Sequence, residues 1–166
     1  MPRNPKYPLA PLREHRDRTV EAATVELGDA VRARESANAS KCAAERAREE
    51  AEARAAAVRR EEEEHLARGE LRAGDLARAY AWEYGAQTEL TQLTETVDHA
   101  EGRLDKARSA EGTARSALGT KKAELDVVVK DNARFDDQAR RARDAAEEEA
   151  ADEVFLARSV AEGREG

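Results

Sequence analysis

A frame of positions spaced alternately three and four apart, mostly apolar or alanine but also holding Glu83, Glu111, Lys121, Asn132, Glu149 and Glu153, governs the second half of this 166-residue chain. It runs from Leu76 through Leu90, Leu93, Val97, Leu104, Leu118, Leu125, Val128 and Phe135 to Val160 without one insertion. Such a period puts one row of side chains on one helix face, and a strict heptad register asks for a partner helix, not a sheet. Glycines 85, 102, 112 and 119 leave the frame undisturbed. Each costs about 1 kcal/mol relative to alanine inside a helix, so they are read as tolerated points within one continuous helix from about 76 to 160. An earlier frame runs Val20, Ala23, Leu27, Ala30, Arg34, Ala37, Lys41, Ala44, Arg48, Ala51, Ala55, Val58. One of its rows is nearly all alanine, which admits a close partner. The other holds Arg34, Lys41 and Arg48, whose stems must lie along the seam while their charges stay wet.

The chain has no isoleucine, and Leu, Val and Phe together number 24 of 166 residues, too few for a thick core. A thin seam and an elongated all-α form are expected. Disorder is disfavoured because 29 positive and 36 negative side chains are closely interleaved and leave a net charge of only -7. An acidic chain without a basic stripe is not expected to bind nucleic acid. Cys42, the lone cysteine, allows no internal disulfide, and the sequence offers neither a signal-peptide core nor an apolar run that spans a bilayer. A cytoplasmic protein is the resulting expectation.

All four prolines fall in residues 1–11, "MPRNPKYPLAP". That segment is read as flexible, with the first helix opening near Leu12 and Pro11 in a turn that needs no amide donor. Gly69 suits the left-handed end of a helix and Asp75 suits a cap. The expected organisation is therefore one antiparallel two-helix coiled-coil hairpin over 12–166, with arms at 12–68 and 75–162 and a bend at 69–74. The second arm would overhang the first. A bend nearer residue 87 would instead make the arms equal. Glu50 with Arg54, Arg59 with Glu63 and Arg60 with Glu64 are read as local helix pairs, and the four acids of "EEEEH" at 61–65 as fraying the first arm before the bend.

Two packed helices offer no enclosed pocket, and His15, His65 and His99 have no partners at metal-ligand spacing. The sequence is read as non-enzymatic, with no metal, no cofactor and no small-molecule substrate. The aromatic stretch "RAYAWEYGAQ" is more informative. Tyr80 and Tyr84 share a helix face and Trp82 points roughly the other way, so one seam cannot bury all three. Either the tyrosines plug the wide end of the hairpin or they form an outward partner-binding patch. The chain ends also differ in charge: residues 1–18 carry five positive and two negative side chains, residues 144–166 two positive and eight negative. A hairpin is expected to bring this basic face and this acidic face together at one tip.

"YPLAPLREHRDRTVEAA", with Tyr7, Leu9, Leu12 and Arg16, resembles the opening of the FliJ/YscO (SctO) family of type III secretion proteins. "RRARDAAEEEAADEVFLAR", with Asp152 and Glu153 before an apolar pair, resembles its close. The resemblance implies a hairpin like the rotor shaft of rotary ATPases, cytoplasmic and peripheral at the inner-membrane base of the secretion apparatus. Its paired ends, here Tyr7, Leu9, Leu12, Arg13, Arg16, Arg18, Asp152 and Glu153, would enter a hexameric secretion ATPase. The second helix after the bend, where Tyr80, Trp82, Tyr84, Leu90, Leu93 and Val97 stand, would meet the cytoplasmic region of the export gate, and secretion chaperones are further partners. A monomer is expected on this reading. The competing reading is a generic coiled-coil scaffold that homodimerises through its alanine-rich seam.

Overall fold

The computed structural model describes residues 6–162. It is an all-α helical hairpin of two helices, α1 (Ala10–Ala67) and α2 (Ala73–Glu162), with no strand among the described residues. Glycines 85, 102, 112 and 119 lie within α2 without breaking it, as the frame predicts. Residues 1–5, half of the proline-rich segment, fall outside the described residues. The rest of that segment corrects the sequence reading: the helix opens two residues early, at Ala10, and the Arg13 amide donates to the Leu9 carbonyl at 3.0 Å. Pro11 sits in the opening turn, where a missing amide leaves nothing unsatisfied.

The bend occupies residues 68–72, which removes the alternative near 87. Gly69 has φ +71°, the left-handed conformation that residues with a Cβ avoid. Its amide donates to the Leu66 carbonyl at 3.0 Å and the Glu70 amide to the His65 carbonyl at 3.0 Å, the paired bonds of a Schellman C-cap. Glu70 also turns back, placing Oε2 2.7 Å from His65 Nδ1 and 3.5 Å from Arg68 Nε. The four glutamates before it do not end the helix, which continues to Ala67. Asp75 caps α2, but from inside the first turn: its Oδ2 accepts the Arg72 amide at 2.9 Å, the backward half of a capping box. That bond, and then the bond from Arg78, holds the carboxyl below its ordinary range.

The chain divides into two units. One joins Val25–Ser116, the bend and the flanking parts of both helices. Its buried residues are Ala51, Ala55, Val97, Ala100 and Leu104, so alanines let the backbones approach while Leu104, 2% exposed, is the largest fully buried side chain. Burying such a leucine contributes about 2–3 kcal/mol. Ion pairs then cross the seam in one antiparallel register. Arg34 Nε lies 2.7 Å from Glu111 Oε2, without an aligned N–H bond, Lys41 Nζ 3.3 Å from Glu101, Arg54 Nη2 3.0 Å from Glu89 and Arg59 Nε 3.4 Å from Glu83. In each the cation stands on α1 and the carboxylate on α2. The local pairs expected for Arg54 and Arg59 are thus replaced by cross-helix ones, because both guanidinium groups reach the facing helix. Arg60 does not take Glu64 either; its Nε donates to the Ala56 carbonyl at 3.4 Å. Arg48 does stay on its own helix, 3.5 Å from Glu52.

The other unit joins Met1–Thr24 and Ala117–Gly166. Among its described residues Ala23 and Val128 are buried, and Arg16 pairs across the seam with Glu124, which Lys121 also approaches at 3.4 Å. Among the described side chains of α2, Ala139 is the last that is not exposed; every residue from Arg140 to Ser159 is exposed. α1 starts too late in its own sequence to reach them.

Candidate functional site

At the start of α1, Tyr7 is a clasp. Its hydroxyl donates to Asp131 Oδ2 at 2.6 Å and lies 3.4 Å from the Val128 carbonyl, while its ring meets Phe135 with centroids 5.6 Å apart and tilted by 58°. Desolvation first, and then the Asp131 carboxylate beside it, push the phenol up to about 12. Arg16 is likewise committed to α2, through Glu124. Leu9, Leu12, Arg13 and Arg18 are exposed, Arg18 turning back to the Glu14 carbonyl at 3.3 Å.

Asp152 and Glu153 are exposed on α2, but they do not meet this group. Tyr7 faces residues 128–135, so Asp152 lies some twenty residues, roughly 30 Å at 1.5 Å per residue, farther along the helix. The expectation of a basic and an acidic face side by side at one tip is therefore corrected for the described residues. Unequal arm lengths stagger the two ends, leaving a single uncovered helix beyond Ala139. That helix exposes Val154, Phe155 and Leu156, with Phe155 at 71%.

In the other unit, the aromatic segment resolves into two sides. Tyr80 is 73% and Tyr84 75% exposed, whereas Trp82 is 37% exposed and leans towards α1, where it lines a groove with Ala51, Ala55, Val58 and Ala86. The tyrosines do not plug the hairpin. Tyr80 forms one wall of a cleft of about 290 Å³ next to the bend, floored by Leu66, Leu71, Leu76 and Ala79. Leu66 and Leu76 are themselves exposed. Of the remaining residues grouped with this patch, Leu90 and Leu93 are half-buried and Val97 is buried in the seam. They serve packing, because they belong to the heptad row and the tyrosines do not; the surface open to a partner is Tyr80, Tyr84 and the leucines of the bend. Leu66 and Leu71 were missed from sequence, although an apolar residue on each side of a bend glycine was the available signal.

No His, Cys, Asp or Glu cluster among the described residues could hold a metal ion, and none of their helices is long and apolar enough to cross a membrane. What the geometry offers is surface: a staggered helix end and an aromatic cleft. No curated protein and no solved structure matches the chain. The family pattern described as "YscO-like protein" does match, over residues 4–159, and by that match across nearly its whole length the chain belongs to the YscO-like family.

Proposed function

We propose that this chain is a non-enzymatic stalk and coupling protein of a type III secretion system. Membership of the YscO-like family supports a type III secretion-related role. The observation that carries the finer reading is the staggered end: α2 continues past its last covered residue, Ala139, as an uncovered helix. A single helix in water lacks the packing that stabilises most protein helices. An uncovered one that bears apolar residues on a charged surface suits insertion into a ring of repeated subunits. The occupant proposed is the hexameric secretion ATPase, with Arg13, Arg18, Asp152 and Glu153 as its charged contacts. Tyr80 and Tyr84, with the cleft beside them, are assigned to the export gate's cytoplasmic region, and secretion chaperones are further candidates for that surface. The protein would work at the cytoplasmic base of the apparatus, one hairpin to a ring.

The test is stimulation of the cognate ATPase. Reversing Arg13 and Arg18 together should reduce stimulation without loss of helicity. Arg16 is left intact because its pair with Glu124 belongs to the fold. Undiminished stimulation by that variant, and by one carrying D152K/E153K, would return the protein to a coiled-coil scaffold without an ATPase partner.

A further inference from the structure

The four glutamates of "EEEEH" stand in the last turns of α1, where the helix dipole disfavours negative charge. Glu61, Glu62, Glu63 and Glu64 form no ion pair among the described residues. The cations around them are engaged elsewhere: Arg59 with Glu83 at 3.4 Å, Arg68 with Glu70 at 3.5 Å, Arg78 with Asp75, and Arg60 with the Ala56 carbonyl at 3.4 Å. Glu62 and Glu63 line the cleft beside the bend, together with Leu66, Leu71, Leu76 and Tyr80. The Arg59–Glu83 pair sets the antiparallel register there, which puts Glu62 and Glu63 level with Tyr80 and Ala79, and Leu66 level with Leu76. The cleft is thus graded along its length. Leucines lie at the bend, carboxylates follow one helical turn, about 5.4 Å, farther on, and the Arg59–Glu83 pair closes the far end.

We infer that this cleft receives an amphipathic helix of a partner protein, with apolar side chains seated on Leu66, Leu71 and Leu76 and a lysine or arginine one turn along, against Glu62 and Glu63. The inference rests on the reading of this cleft as a partner surface and adds the chemistry that the partner must carry. Both walls are helix faces. Residues 59, 62, 63 and 66 of α1 and 76, 79, 80 and 83 of α2 each follow the spacing that keeps side chains on one side of a helix. The cleft is therefore a groove between two helices, and a third helix can lie along it. At about 290 Å³ it falls just below the range of small-molecule sites, roughly 300–1,000 Å³, and Leu66 is 59% and Tyr80 73% exposed. Such an open groove takes side chains offered by a helix and does not enclose a free ligand. Charge then selects among helices. An acidic one would meet two unpaired carboxylates, and a purely apolar one would strip them of water without supplying a counter-charge.

The experiment is fluorescence anisotropy of a labelled helical model peptide, with leucines four residues apart and lysines one turn beyond them, titrated with the full chain beside a twin that has glutamate for each lysine. The lysine peptide should bind about tenfold or more tightly than its twin, and more weakly as salt is raised. E62K/E63K should reverse that preference, and its helicity and melting temperature should not fall, because the change suits the helix dipole. Leu66→Ser, at an exposed position, should weaken the lysine peptide about tenfold with helicity unchanged. E148K/E149K, in the acidic block near the other end of α2, should leave binding as it is, which separates the groove from general attraction to an acidic chain. Equal binding of the two peptides overturns the inference, as does a preference that E62K/E63K leaves in place or that E148K/E149K removes. So does a lysine peptide that does not bind, or self-association of the chain that Leu66→Ser abolishes, which would seat a second copy in the groove. If the lysine peptide fails while the export gate still binds through Tyr80 and Tyr84, the chemistry is struck and the partner surface stands; loss of the surface itself is read with the gate, not with the peptide.

Discussion

The Tyr7 hydroxyl donates to Asp131 Oδ2 at 2.6 Å, and this contact fixes where the shorter helix begins against the longer one. The phenol is stabilised in its neutral form, from its ordinary 10.0 up to about 12. A raised value in the fold means that the clasp's contribution is complete below pH 10 and is lost as pH rises through about 12. Absorbance titration of the tyrosines should therefore show a late component near pH 12 that Tyr7→Phe removes. Because the ring contact with Phe135 survives that substitution, helicity at neutral pH should change little.

At the bend, Gly69→Ala places a Cβ at φ +71° and should destabilise the hairpin by about 1 kcal/mol, read by urea denaturation. Asp75 gives the opposite pH limb. Its carboxyl is lowered from 3.8, so its stabilisation is present above that value and is lost as pH falls through the lower folded one. Asp75→Asn should flatten this acid limb while leaving the alkaline one in place.

The phase of the frame can be tested with neighbouring substitutions. Leu104 is buried and Val127 is 67% exposed, although Val127 opens a run of three valines, 127–129. Leu104→Ala should cost about 2–5 kcal/mol, whereas Val127→Ala should stay within about 0.5 kcal/mol. Thermal melts of both variants decide it, and equal losses would contradict the register.

Much of this fold was legible because a heptad frame reports which face of a helix is covered. Val97, Leu104 and Val128 fall in its row and are buried; Gly69 marks the bend as read. The frame does not report how far the cover extends. It continues through Ala142 and Ala146 in the sequence, yet cover stops at Ala139, because that limit is set by where the other helix starts. The cross-helix pairs of Arg54 with Glu89 and Arg59 with Glu83 were hidden for a related reason. Local charge spacing offers each arginine a partner on its own helix, and only the antiparallel register shows the second choice. Val97 could have been excluded from the partner surface by its place in the seam row alone.

The aromatic segment now gives a test with a built-in control. Tyr80 and Tyr84 are about three quarters exposed, so replacing both by alanine creates no cavity and should change stability by less than about 0.5 kcal/mol. If they bind the export gate, the same double substitution should weaken that complex by more than about 1 kcal/mol, since aromatic anchors carry a large share of interface energy. Trp82, on the other side of the helix, lines a groove with Ala55 and Val58 of α1. Its indole emission should be blue-shifted from that of the unfolded chain and should not move when the tyrosines are replaced. Trp82→Ala should reverse the pattern, lowering stability through lost packing against α1 while sparing the tyrosine surface. Calorimetry with the gate's cytoplasmic region and thermal melts measure the two effects separately. A tyrosine variant with normal stability and normal gate binding would remove the patch from the mechanism, because nothing in its folding would then mask a lost contact.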